Sequence, residues 1–272
     1  MENINWYPGH MKKTRELIAE NLKLVDAVIE VCDARIPVSS RNPILGELTR
    51  SKPKVVVLNK RDLADAEATK MWISKLRKMG DRPVSMDCRK GIGMKSLFDA
   101  LPAKRPLRVM IVGVPNSGKS SLINRLTGRK GAQTGNRPGV TRGKQWLSIE
   151  GGLRLLDTPG ILWPKFEDPL VGLNLAFCGS IRDEILDSAE LGLRLIKLLS
   201  SEYADMLSDR YQLDGIGEGP SPLSSALMIM EAIAKKRGYI LPGKRIDYER
   251  TGRVVLDEFR SGKIGYITLE KP

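Results

Sequence analysis

Asn59-Lys60-Arg61-Asp62 stands ahead of Gly113-Val114-Pro115-Asn116-Ser117-Gly118-Lys119-Ser120, and the order of the two stretches decides the fold. The second fits G-x-x-x-x-G-K-S/T, a loop whose backbone N–H groups cradle phosphates. The first fits N-K-x-D, in which a carboxylate reads the edge of guanine. Ordinarily the phosphate loop lies near the start of such a domain and the base reader near its end. Here the order is reversed. The parts predict an α/β nucleotide-binding domain, and their order predicts a circular permutation of it.

Outward from these stretches, apolar runs alternate with helical patterns, as parallel strands with crossover helices require. Residues 27–32, 55–58, 83–86 and 109–112 read as strands, and 145–149 with 153–156 as a hairpin around Glu150-Gly151-Gly152. The strands ending near Leu58, Met86, Val112 and Leu156 each run into a motif. Ligands of open α/β sheets sit outside the carboxyl ends of strands, so the motifs are expected to converge on one crevice. After about Leu175 the pattern turns helical. Ile185, Leu186, Ala189, Leu193, Ile196 and Leu199 recur near helical spacing, 226–234 is a second apolar run before Gly238, and 248–260 is stopped by Ser261-Gly262. Two domains are expected, an α/β domain over 1–175 and a small helical one over 176–272.

With 272 residues, 41% hydrophobic and 28% charged, the balance is that of a globular protein. No signal-peptide pattern and no apolar stretch long enough to span a bilayer is evident, so a cytoplasmic protein without a membrane partner is expected. Cys32, Cys88 and Cys178 lack any C-x-x-C pairing and are expected to be reduced and buried. Isolated from one another and joined by one histidine, they lack the paired ligand spacing from which a four-ligand Cys/His zinc site is built. Lys and Arg number 45 against 32 acids, giving +13; residues 1–175 hold 31 basic and 17 acidic, the remainder 14 and 15. Arg125, Arg129, Lys130, Arg137, Arg142 and Lys144 fall in an acid-free stretch, which points to a polyanionic partner beyond the nucleotide, DNA not being expected; a solvated basic surface is the alternative. Residues 180–231 carry four basic and ten acidic side chains, whereas 232–263 carry nine and four, Lys235-Lys236-Arg237 and Lys244-Arg245 among them. A basic face for RNA and ordinary surface helices both fit that reversal.

Residues 108–125 supply strand, glycine-rich loop and helix in succession. Backbone N–H groups from Asn116 to Ser121 would face the β-phosphate at the helix N-terminus, with Pro115 and Ser117 shaping the loop. Gly113 and Gly118 let the backbone approach. Lys119 would neutralise β/γ oxygens and Ser120 would hold Mg²⁺. Asp62 would accept hydrogen bonds from guanine N1–H and the exocyclic amine, which adenine does not offer there. Asn59 would brace the loops, and the Lys60 stem would lie over the base, with Arg61 in the same turn. Asp157-Thr158-Pro159-Gly160 fits D-x-x-G: Asp157 would reach Mg²⁺ through water, and the Gly160 N–H would bond the γ-phosphate. Thr141, within Arg137-Pro138-Gly139-Val140-Thr141, is the candidate switch threonine on Mg²⁺; a plain turn threonine is the alternative.

The order N-K-R-D, G-V-P-N-S-G-K-S-S, R-P-G-V-T, D-T-P-G resembles that of the circularly permuted GTPases. Together with Trp6-Tyr7-Pro8-Gly9-His10-Met11, the chain resembles the YlqF/RbgA family of bacterial ribosome-assembly GTPases over nearly its whole length. That resemblance implies GTP and GDP as ligands and a role in late maturation of the large ribosomal subunit, with rRNA and ribosomal proteins as partners. Binding without assembly, and a protein-partnered switch, are the rival readings. It also implies that Asp87-Cys88-Arg89 takes the place of the usual Ser-Ala-Lys guanine loop, the Cys88 N–H reading the base. Small GTPases place a water-orienting Gln after D-x-x-G; here Ile161 and Leu162 follow, and neither bonds water. The resemblance assigns a hydrolytic role to His10, whose imidazole titrates near neutrality; an RNA-contacting or structural histidine is the alternative. Asn116 is expected to accompany K⁺ between the phosphates, its side-chain carbonyl being a hard oxygen ligand; a loop-bracing Asn is the alternative. Because D-x-x-G leads into the helical part, GTP and GDP states are expected to differ in residues 129–142 and in the orientation of that part.

Overall fold

All seven residues of β1 (Ala27–Asp33) are buried, as in a strand covered on both faces. The computed structural model describes residues 11–128, 146–149, 152–156, 168–214 and 225–272. In it β1 is flanked by β2 (Lys54–Asn59) and β4 (Leu107–Val112), with β3 (Arg82–Ser85) beyond β2. The sheet ends in the hairpin of β5 (Trp146–Ile149) and β6 (Leu153–Leu156), in the order β3-β2-β1-β4-β6-β5. β3, β2, β1, β4 and β6 pair in parallel, and β5 returns antiparallel on β6. The carboxyl ends of β1, β2, β3 and β4 therefore share one edge.

Side chains alternate across the sheet with period two. Ala27, Ile29 and Val31 pack with Val109 and Ile111 against α4 (Met94–Ala100) and α5 (Lys119–Thr127), through Leu97, Leu122, Ile123 and Leu126. On the opposite face Val28 meets Ile18 and Leu22 of α1 (Met11–Leu22) and Leu45 of α2 (Pro43–Leu48). Cys32 meets Trp72 and Leu76 of α3 (Ala66–Lys78). A one-residue slip would exchange the two sets, so the register is strongly specified. Glu30 interrupts the apolar run and is neutralised by Arg41 and Lys54, each at 3.3 Å.

The chain divides into two compact units, Met1–Asn174 with Thr268–Pro272, and Leu175–Ile267. The division falls inside α6 (Pro169–Phe177). The second unit holds α7 (Ser188–Glu202), α8 (Ala204–Tyr211), α9 (Ala226–Arg237), a short hairpin of β7 (Ile240–Leu241) and β8 (Arg245–Ile246), and α10 (Tyr248–Arg260). Asp187 caps α7 by accepting from the Glu190 N–H at 2.9 Å. Ile185 and Leu186 thus precede the helix, Ile185 exposed; of the expected set Ile196 and Leu199 are buried, joined by Leu191 and Leu195, while Ala189 and Leu193 are half-buried. The expected periodicity holds in the second half of α7 and fails toward its start, because the helix begins only at Ser188 and is leucine-rich on more than one face. Arg260 ties α10 to the carbonyls of Ala176 and Phe177 at 2.9 and 3.0 Å. Cys32, Cys88 and Cys178 are buried and form no disulfide among the described residues. No described helix is long and apolar enough to cross a membrane.

Candidate nucleotide-binding site

β4 ends at Val112 and α5 starts at Lys119, leaving a six-residue turn that only glycine can negotiate at two points. Gly113 has φ 151°, and a Cβ there would lie 2.3 Å from the Val31 carbonyl oxygen. Gly118 has φ 103°, and a Cβ there would lie 2.0 Å from Asn59 Nδ2. Asn116 adds a left-handed backbone at φ 57° and an exposed side chain. Left-handed positions of this kind gather N–H groups into an anion-binding concavity, and the N-terminus of α5 adds its positive pole. Lys119 is buried, its Nζ donating to the Val114 carbonyl of the same loop at 2.7 Å. Ser120 and Ser121 follow in the first turn of α5, both half-buried. The side chain of Ser117 is buried, and its Oγ finds no hydrogen-bond partner among the described residues.

Asn59, at the end of β2, joins the loops. Its Nδ2 donates to the Ser117 carbonyl at 2.7 Å, and its Oδ1 accepts from the Cys88 N–H at 3.0 Å. Arg61 N–H bonds the Met86 carbonyl at 3.1 Å, stitching the base-reading turn to the end of β3. Asp87 Oδ1 accepts from the Arg89 and Lys90 N–H groups at 2.9 and 3.0 Å, closing the next turn. Arg125 of α5 reaches the Arg89 carbonyl. The amide that the resemblance assigns to the base, that of Cys88, is thus held by Asn59. Burial, then the charge of Asp87, pushes the Cys88 thiol up to about 12, so it is no nucleophile at neutral pH.

Lys60 joins a charge network at the end of β1. It has φ 60°, and its Nζ donates to Asp33 Oδ2 at 2.8 Å. Asp33 also takes Arg35 in bidentate fashion, Nε to Oδ1 at 3.0 Å and Nη2 to Oδ2 at 2.8 Å. Burial pushes the Asp33 carboxyl up, but the charges of Arg35 and Lys60 and their hydrogen bonds outweigh it and hold it well below the carboxylate range. Sequence reading passed over Asp33 and Arg35. The available signal was an acid ending a wholly apolar strand at the edge shared with the motifs. Asp62 is half-buried and Arg61 exposed beside this network. His10, Thr141, Asp157, Gly160, Ile161 and residues 129–142 lie outside the described residues.

Residues 108–210 match the family described as "50S ribosome-binding GTPase". Over 284 residues the chain is 44% identical to "Ribosome biogenesis GTPase A" of Bacillus cereus, covering 99% of this chain and 94% of that protein. The protein of the same name from Thermotoga maritima is 35% identical, covering 99% and 95%. "Mitochondrial ribosome-associated GTPase 1" of Bos taurus is also 35% identical, covering 98% and 88%. Among solved structures, GDP-bound YlqF of T. maritima matches with a TM-score of 0.71 at 32% identity, covering 94% of this chain and 99% of that one.

Proposed function

The chain belongs to the family of ribosome biogenesis GTPase A and is a circularly permuted GTPase, and we propose that GTP hydrolysis controls its binding to, and release from, a maturing large ribosomal subunit. The observation that carries the reading is Asn59, whose one side chain bonds the phosphate loop at 2.7 Å and the Cys88 turn at 3.0 Å. A guanine nucleotide needs its base reader and phosphate cradle at a fixed separation, and this bridge fixes it. Asp62 selects guanine. Lys119 leaves the Val114 carbonyl for the β/γ oxygens. The N–H groups from Asn116 to Ser121, with Pro115 shaping the turn, hold the phosphates. Gly113 and Gly118, where any side chain would strike Val31 or Asn59, support that fit.

Ser120, with Thr141 and Asp157, is proposed to hold Mg²⁺, which when bound supplies charge neutralisation between β and γ oxygens. Asn116, exposed at the loop tip, is proposed as the K⁺ ligand. Gly160 is assigned to the γ-phosphate and His10 to the attacking water, since Ile161 bonds none. The helical part of 176–272, up to Ile267, is assigned as the RNA-binding arm, with rRNA and ribosomal proteins of the large subunit as partners in the cytoplasm. The names of the relatives support ribosomal partners, and the basic stretch after Ala232 supports the placing of the arm.

Hydrolysis measured in K⁺ with and without purified large subunits tests the proposal. Stimulation of about tenfold, about 1.4 kcal/mol off the barrier, is expected. Bound GTP with unstimulated turnover overturns the ribosome-triggered reading. Equal rates in KCl and NaCl overturn the K⁺ role, and full stimulated turnover by His10→Ala overturns that of His10.

A further inference from the structure

The segment Thr268–Pro272 follows the helical unit in the chain yet belongs to the nucleotide-binding unit. Its hydrogen bonds fall on both flanks of the base-reading turn. On one flank, the Leu269 N–H donates to the Arg35 carbonyl at 2.8 Å. The Glu270 carboxylate accepts from the Val38 N–H at 2.5 Å, from the Ser39 N–H at 2.9 Å, and from the Ser39 hydroxyl. Arg35 in turn holds Asp33, and Asp33 holds Lys60 Nζ. On the other flank, Thr268 Oγ1 accepts from the Asp65 N–H at 3.1 Å. Asp65 is the N-cap of α3, its Oδ1 accepting from the Ala68 N–H at 2.6 Å, and it lies three residues beyond Asp62. The Glu270 carbonyl also accepts from Trp72 Nε1 of α3 at 2.7 Å. Asn174, where the chain leaves this unit, donates to the Glu270 carboxylate and to Ser39 Oγ, each at 3.2 Å.

These contacts end on the backbone and caps that carry Lys60 and Asp62, and none touches the phosphate loop. We propose that Thr268, Leu269 and Glu270 are positioning residues of the base-reading turn, holding Lys60 and Asp62 in the arrangement that binds guanine. The inference rests on the assignment of Asn59–Asp62 as the base reader. Without the clamp, the turn populates its binding arrangement only part of the time, and apparent affinity falls by that fraction. Turnover of bound GTP is untouched, because Lys119 and the Asn59–Ser117 bond remain.

The test compares the full chain with Glu270→Ala, Thr268→Val and a deletion of 268–272. A fluorescent GDP analogue gives Kd and dissociation rate, GTP turnover gives kcat and KM, and thermal denaturation reports the nucleotide-free protein. Each single variant is expected to raise Kd and KM, Glu270→Ala by about tenfold, with kcat within about twofold of the parent. Glu270→Gln, which keeps one carbonyl acceptor, should fall between. An unchanged Kd with a lowered melting temperature overturns the proposal and leaves the segment merely structural. A fall in kcat at unchanged KM overturns it as well. Should the deletion fail to fold, the single variants decide the matter, with Kd referred to the folded fraction. Failure of the parent chain itself to bind the GDP analogue over its adenine counterpart overturns the base-reader assignment instead.

Discussion

Asp33 shows how one residue sets both stability and site geometry. It ends β1 with its carboxylate shared between Arg35 and Lys60, and the Asp33 and Arg35 side chains are only 2% and 1% exposed. Such a pair gains little over an apolar replacement, but removing one partner leaves a buried charge and costs about 3–5 kcal/mol. Asp33→Asn should therefore destabilise the fold by about 3 kcal/mol at neutral pH. The sign of the pH dependence follows from the depressed pKa. An acid titrating below its unfolded value of about 3.9 stabilises the fold above that pH and loses the contribution as pH falls through the folded value. Urea midpoints of the parent should hold from pH 8 to about 5 and fall steeply below about 4; those of Asp33→Asn should start lower and fall less. Hydrogen bonds from Arg108 and Lys104 likewise hold Asp26 low, in both proteins, so the difference between the curves isolates Asp33. Parallel curves would show that the Asp33 charge does no work in the fold.

Among the elements, legibility followed the locality of the interactions. The strands of the parallel sheet were readable to within a residue or two because burial on both faces leaves unbroken apolar runs. The hairpin of β5 and β6 was readable from its glycines, and α10 from the Ser261-Gly262 stop. The phosphate loop and Asn59 were readable because close backbone approach restricts residue types. Asp33 and Arg35 were not, because an ion pair at a strand end has no local pattern. Nor was the Thr268–Pro272 clamp, whose bonds join residues 231 apart in sequence. The packing of α7 on α10 is equally non-local. A Cβ on Gly252 would lie 2.1 Å from the Ser188 carbonyl oxygen, and one on Gly192 would lie 2.4 Å from the Gly252 Cα. Gly252→Ala gains about 1 kcal/mol of helix propensity but forces the helices apart, and overpacking costs about 1–3 kcal/mol or more. A net loss is expected. Gly46→Ala in α2, with nothing within 4 Å of the new Cβ, should instead stabilise by up to about 1 kcal/mol. Denaturant midpoints of the two variants should move in opposite directions. Movement in the same direction would mean that backbone propensity, not helix separation, governs Gly252.

For the molecule as a whole, charge separates the two parts. Residues 1–175 carry 31 basic against 17 acidic side chains, and the remainder 14 against 15. The nucleotide accounts for only a few of those cations, so the surplus predicts a second, extended anion. If that anion is RNA, binding releases condensed counterions, and four phosphate contacts give a log–log slope near −3. Doubling the monovalent salt from 100 to 200 mM should then weaken binding to large subunits about eightfold. Binding is best measured by co-sedimentation with a non-hydrolysable GTP analogue, adding NaCl over constant KCl so that any K⁺ site stays occupied equally. GDP affinity of the free protein should move far less, because Asn59, Lys119 and Ser117 are buried beyond the reach of most screening. A steep slope for the particle with a shallow one for the nucleotide assigns the surplus charge to RNA. A shallow slope for both makes a ribosomal protein face the principal contact, and the basic stretches become a solvated surface.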